Sequence, residues 1–151
     1  MFHSIVRGCA AGTTALNATS YLDMALRGRP SSSAPEDVVE RVTEKAGYPV
    51  PESDGRDNRL SGLGALTGIA VGVGTGAAVA LLHRAGVRPP GWLGGPATGA
   101  LAMVLSDAPI AGLGISDPRT WSPADWTADA LPHLAYGLVT YGLISAAHRH
   151  R

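Results

Sequence analysis

The sequence predicts an all-α protein, an integral membrane four-helix bundle with a short amphipathic helix in its first loop. Three observations predict it. Residues 60–82 run for 23 positions without a charge, and at ~1.5 Å rise per residue a helix there spans about 35 Å, enough for the ~30 Å hydrocarbon layer of a bilayer. Charged residues make up only 16% of the chain, and 13 of them fall between positions 27 and 59, whereas soluble domains carry roughly 25% spread more evenly. Glycine recurs at four-residue spacing at Gly64, Gly68, Gly72 and Gly76. That spacing lines one face of a helix and lets a second backbone approach closely, which is how helices associate in lipid.

In chain order, the first span covers about 5–26. It contains Asn17 and Asp23, so its insertion depends on neighbouring helices that shield them. Arg7 precedes a run rich in Thr and Asn rather than Leu, which makes a poor signal-peptide core. The polar loop 27–59 follows. Within it, Ser33-Ala34-Pro35-Glu36 reads as a capping box opening a helix through about Ala46, with Val38, Val39 and Val42 on one edge. About twelve residues are too few to be stable alone, so this helix is expected to lie against the membrane or a partner. A largely flexible loop is the alternative.

The second span is 60–82. The third, about 93–115, is uncharged except for Asp107, with Pro96 near its start and Pro109 able to kink it. The fourth, about 131–148, has Pro132 placed for a first helical turn and ends in His148-Arg149-His150-Arg151, cations suited to a helix C-terminus and a headgroup zone. Trp92 precedes the third span, and Trp121 and Trp126 precede the fourth, the positions an aromatic belt requires. Four crossings put both termini on one side. Basic residues near the span ends divide equally between the two sides and give no orientation.

Ala70, Gly74 and Ala78 form a second small-residue stripe about 200° from the first, so the second span is expected to be a central helix packed on both sides. Gly95 and Gly99 repeat the device in the third span. The faces serve either oligomerisation, as a homo-oligomer or with a partner subunit of a membrane complex, or packing within one monomer. Gly72-Val73-Gly74-Thr75-Gly76 is not a phosphate loop, because no Lys-Ser/Thr follows it.

Titratable groups inside spans are costly and therefore informative. Asp107 continues the face of Gly95, Gly99 and Met103 and is expected to point into the bundle. His133 shares a face with Gly137 and Tyr141, while Asp23 clusters with Asn17 and Tyr21. Two readings result: Asp107 and His133 form a proton- or cation-handling pair assisted by Asp23, or Asp107 is structural glue while Asp23 and His133 are hydrated at the interface. Ser106, Asp107 and His133 make no hydrolytic triad, since adjacent residues point about 100° apart on a helix. No catalytic residue, cofactor or metal is expected, and His83, His148 and His150 read as interfacial. Zero net charge gives no reason to expect nucleic acid. The lone Cys9 permits no internal disulfide and offers a label for testing on which side the N-terminus lies.

Residues Ala11-Gly12-Thr13-Thr14-Ala15-Leu16-Asn17 and Tyr21-Leu22-Asp23-Met24-Ala25-Leu26-Arg27-Gly28-Arg29-Pro30, followed by Ser31 to Ser33 and Pro35-Glu36, carry a resemblance. Over 12–42 the chain resembles a group of small multi-pass membrane proteins from high-GC bacteria with no assigned activity. The resemblance implies a bacterial plasma (inner) membrane and a genuine first span, and it transfers no functional residue. The expected function is therefore that of a non-enzymatic structural or accessory subunit in the lipid bilayer, with a proton-coupled or small-solute transporter using Asp107 as the alternative.

Overall fold

The structure, a computed structural model, describes residues 2–149. The fold is all-α, 80% helical, with no strand among the described residues. Its elements are α1 (Phe2–Arg27), α2 (Ala34–Lys45), α3 (Arg56–Arg84), α4 (Gly91–Gly112) and α5 (Pro123–Arg149), with one 3-10 turn at Pro118–Thr120.

Local chemistry explains where these elements begin and end. The main chain and hydroxyl of Ser122 bond the Asp125 carboxylate at 2.9 and 2.7 Å, and the Asp125 amide returns a 3.2 Å bond to the Ser122 hydroxyl. This reciprocal box starts α5 at Pro123, eight residues before the expected fourth span. Pro132 therefore lies inside the helix rather than in its first turn. Pro96 is likewise internal to α4, while Pro109 sits in its last turn and the helix stops at Gly112.

The box expected at Ser33 does not form. Ser33 already has helical backbone angles and makes no capping bond; its hydroxyl turns instead to Asp37, at 3.0 Å. The C-terminal His150 and Arg151 lie outside the described residues.

α5 is the central element. It packs against α1 and α4 and meets α3, while α2 lies along the first half of α3. Contacts at Gly12 with Tyr136 and Thr140, and at Gly95 with Leu138, run α1 and α4 antiparallel to α5. α3 runs parallel to α5, with Gly72 beside Tyr136 and His83 beside Ser145. The start of α1 and the end of α5 thus share one end of the bundle.

The expectation of α3 as a helix sandwiched by two small-residue faces is corrected. Gly72 and Gly76 face α1 and α5, against Thr13, Cys9, Tyr136 and Thr140, and Gly64 is covered by the first turn of α2 at Pro35 and Glu36. Nothing lies within 4 Å of a side chain built at Gly68 or Gly74, and Ala70 is exposed. Ala78 of the second stripe is half-buried; α3 turns Thr75, Val79 and His83 inward instead, where they meet Tyr136, Thr140, Tyr141 and Ile144 of α5.

The closest backbone-to-backbone approach at the glycines is between α4 and α5. A Cβ on Gly99 would stand 2.6 Å from the His133 carbonyl oxygen, and one on Gly95 would stand 2.7 Å from Leu138 Cδ2. Gly137 answers from the other side, directly over the backbone of Gly95 and Gly99. Gly94 leaves room for the ring of Tyr141, whose hydroxyl donates to the Pro89 carbonyl.

Polarity is inverted between inside and outside. The bundle interior combines glycines with Cys9, Thr75, His83, Thr98, Ala102, Tyr136 and Thr140, and adds one small apolar cluster of Val79, Ala80, Tyr141 and Ile144. Its large aliphatic side chains are mostly outside: Leu66, Leu81 and Val104 expose 62%, 63% and 60% of their surface. Leu60 is the one buried leucine among the described residues, and it packs with Val39 and Val50 under α2 rather than in the bundle.

Two outcomes follow for stability. Gly99→Ala forces α4 and α5 apart and is expected to cost about 1–3 kcal/mol. Gly68→Ala enters open space and is expected to stabilise by up to about 1 kcal/mol through helix propensity. Denaturant unfolding followed by circular dichroism separates them, and equal effects would remove the packing asymmetry. Separately, the Ser122 side-chain and main-chain bonds hold the Asp125 carboxyl below the ordinary carboxylate range. A depressed folded value gives a contribution that is complete above about pH 4 and lost as pH falls through it. Amide exchange in the first turn of α5 should therefore accelerate below about pH 4, and Ser122→Ala should abolish that acceleration.

Candidate functional site

The spacing that brings α4 onto α5 also sets which side chains meet along the seam. Gly95 and Gly99 face α5, and two further turns along the same stripe is Asp107. On α5 the matching positions are His133 and, one turn before it, Asp129. The three form one cluster, with the Asp107 carboxyl in electrostatic contact with the Asp129 carboxyl and the His133 ring. Both sequence-predicted members, Asp107 and His133, are thus brought together.

The His133 ring is mostly buried, with Nδ1 2.9 Å from the Asp129 carbonyl and 3.3 Å from its carboxylate Oδ1. A carbonyl oxygen only accepts, so Nδ1 carries the proton and Nε2 is the position free to exchange one. Asp129 Oδ2 is buried without a hydrogen-bond partner. Two facing carboxyl groups can bond each other only through a shared proton, and the adjacent imidazole is a group able to give or take it. The chemistry available is proton exchange. Metal binding is another matter, since among the described residues no three His, Cys, Asp or Glu side chains are placed to hold an ion.

Asp23 does not join this cluster. It is held by Arg29 and, at 3.5 Å, by Arg27, which also donates to the Ala124 carbonyl at 3.2 Å. Asp23 therefore ties the end of α1 to its own following loop, and Arg27 ties it to the start of α5. Asn17 and Tyr21 are exposed.

The packing glycines fall into three groups: Gly72, Gly76, Gly95 and Gly99 inside the bundle, Gly64 under α2, and Gly68 open. Around the first group the buried hydroxyls are satisfied by main-chain carbonyls. Tyr136, 1% exposed, donates to Gly72; Thr140 donates to Gly8 at 3.3 Å and Thr75 to Val71 at 2.8 Å. Cys9 is 3% exposed with its thiol 3.7 Å from the Val73 carbonyl. A thiol reagent would thus read unfolding at Cys9 rather than the side on which the N-terminus lies.

Sequence reasoning missed two residues. Asp129 lies outside the expected fourth span, although its spacing of four from His133 is the signal that could have found it. His83 was expected at an interface and is buried instead. Its Nε2 stands 3.1 Å from the Ser145 hydroxyl and its ring meets Tyr141 edge-on at 4.9 Å. No single-helix pattern predicts that, because Ser145 and Tyr141 belong to α5.

Comparison with known proteins finds no matching family model, no similar curated protein and no similar solved structure. The functional reading therefore rests on the residues described above.

His133 is the only partner in the cluster able to offset two carboxylates. His133→Ala is expected to cost about 1–3 kcal/mol, as removal of one member of a partly buried polar group does, whereas Asp107→Asn relieves the carboxylate pair and should change stability by less than about 1 kcal/mol. Thermal unfolding of both variants tests this. A larger loss in Asp107→Asn would show that the acid is required for the fold.

Proposed function

We propose that the protein is a multi-pass integral membrane protein in which α1, α3, α4 and α5 form a bundle in lipid, serving as a structural or accessory subunit. The inversion of polarity carries this reading. In water, burying a leucine side chain contributes about 1.5–3 kcal/mol, and a bundle that leaves Leu63, Leu66, Leu81, Leu105 and Leu138 outside forgoes it. In hydrocarbon that arrangement costs nothing, because lipid tails are as apolar as leucine and helices join through small residues and hydrogen bonds.

α3 is the one helix among the described residues long and apolar enough to cross a membrane by length and composition, and only 28% of its most apolar stretch is buried. A core helix of a soluble protein would be covered. α4 is interrupted by Pro96, Asp107 and Pro109 and α5 by Asp125, Asp129 and His133, which suits helices that insert against α3 and each other. Trp92 lies at one end of the bundle and the paired rings of Trp121 and Trp126, 5.1 Å apart, at the other. The bacterial plasma membrane as the setting rests on the resemblance of 12–42.

The subunit role is supported by the outward small position of α3 at Gly74, which nothing among the described residues covers within 4 Å. A second reading, proton-coupled or small-solute transport, is favoured by the meeting of Asp107, Asp129 and His133. Retention in the pellet after alkaline carbonate extraction is the outcome expected of the membrane reading, and release would end it. Gly74→Leu should convert a higher-mass assembly to monomer with helicity intact, and a wild type that is already monomeric would remove the subunit role. In proteoliposomes, transport predicts at least a tenfold loss of proton flux in Asp107→Asn, and absence of wild-type flux would exclude it.

A further inference from the structure

α2 touches α3 closely only at its beginning and along its buried edge. Pro35 and Glu36 cover Gly64, and Val39 packs with Leu60 and Val50. Beyond them the two helices leave a groove of about 410 Å³ lined by Val38, Val42, Leu63, Leu66, Thr67 and Ala70. This is within the ~300–1,000 Å³ of ordinary small-molecule sites, and its lining is almost wholly apolar. On α3 the groove runs from Leu63 to Ala70, within the uncharged stretch that begins at Leu60.

The rims of the groove differ in charge. On α2, Arg41 and Lys45 lie three residues beyond Val38 and Val42 and so flank the open, half-exposed apolar edge. Neither has an ion-pair partner among the described residues. Asp37 and Glu44 lie on the far side of these cations from the groove and form no ion pair with them, Asp37 accepting from the Ser33 hydroxyl. On the opposite flank Glu40 is neutralised by Arg56, which also pairs with Glu52 at 2.9 Å. An apolar trough with two uncommitted cations along its open edge matches one ligand chemistry, an alkyl chain joined to an anionic head.

We propose that this groove binds one acyl chain of an anionic phospholipid, with Arg41 and Lys45 engaging its phosphate. The proposal rests on the membrane reading above and deepens it by naming a lipid partner. The lipid completes the α2–α3 contact that the protein's own side chains leave open.

The test is native mass spectrometry of the full chain in detergent with equimolar phosphatidylglycerol and phosphatidylcholine. The wild type is expected to retain the anionic lipid at least fivefold over the zwitterionic one. Arg41→Gln with Lys45→Gln, both exposed, should bring the ratio close to one without loss of helicity. Thr67→Phe, which fills the groove, should remove the retained lipid altogether. Equal retention of the two lipids by the wild type, or an unchanged ratio in the double variant, overturns the proposal while leaving membrane residence intact. A dimer that Thr67→Phe dissociates would assign the groove to a second copy and likewise overturn it. Release of the chain by carbonate extraction is the separate result that removes both readings.

Discussion

The architecture depends on the backbone contact of α4 with α5 at Gly95, Gly99 and Gly137. Two helices can approach this closely only where neither carries a Cβ in the seam, and here glycine from each side meets the main chain of the other. Such a contact has one register. Sliding the helices by a turn would bring His133 or Tyr141, four residues from Gly137, over Gly99, and the side chains would separate the backbones. The fixed register then decides everything further along: Tyr141 lies over Gly94 at one end, and Asp107 meets Asp129 and His133 at the other.

Apart from the cluster of Val79, Ala80, Tyr141 and Ile144, the core is made of glycines and hydroxyls with little apolar area to bury, so much of its cohesion has a different source from that of a leucine core. Close approach increases dispersion contact, and each buried hydroxyl must find an acceptor or pay its desolvation. Tyr136, Thr140, Thr75 and Thr98 all find main-chain carbonyls. Tyr136 and Thr140 do so across helices, joining α5 to α3 and α1. These bonds are directional, and they fix the rotation of each helix where apolar contact alone would leave it loosely set.

Much of the secondary structure was legible because its signals are local. An uncharged run, a proline-serine loop and a four-residue glycine spacing need no partner to be read, and they yielded an all-α chain. The face of Asp107 was legible for the same reason. Local signals misled where a competing local bond won. Ser33 bonds Asp37 and forms no cap, whereas the Ser122–Asp125 box extends α5 backward through Asp129 and carries Pro132 into its interior. That extension is why Asp129 was left outside the fourth span.

The sequence by itself determined that the chain is helical, where its charges lie and which faces carry small residues. Those properties follow from residue type and period. Only the tertiary structure decided which stripe is covered: Gly72, Gly76, Gly95 and Gly99 are inside, while Gly68, Ala70 and Gly74 face out. It also decided that α5 is the centre and that His83 is buried beside Ser145. The reason is steric. A glycine face states that a neighbour can come close, but which neighbour comes depends on the height of the side chains it presents, and those belong to other helices.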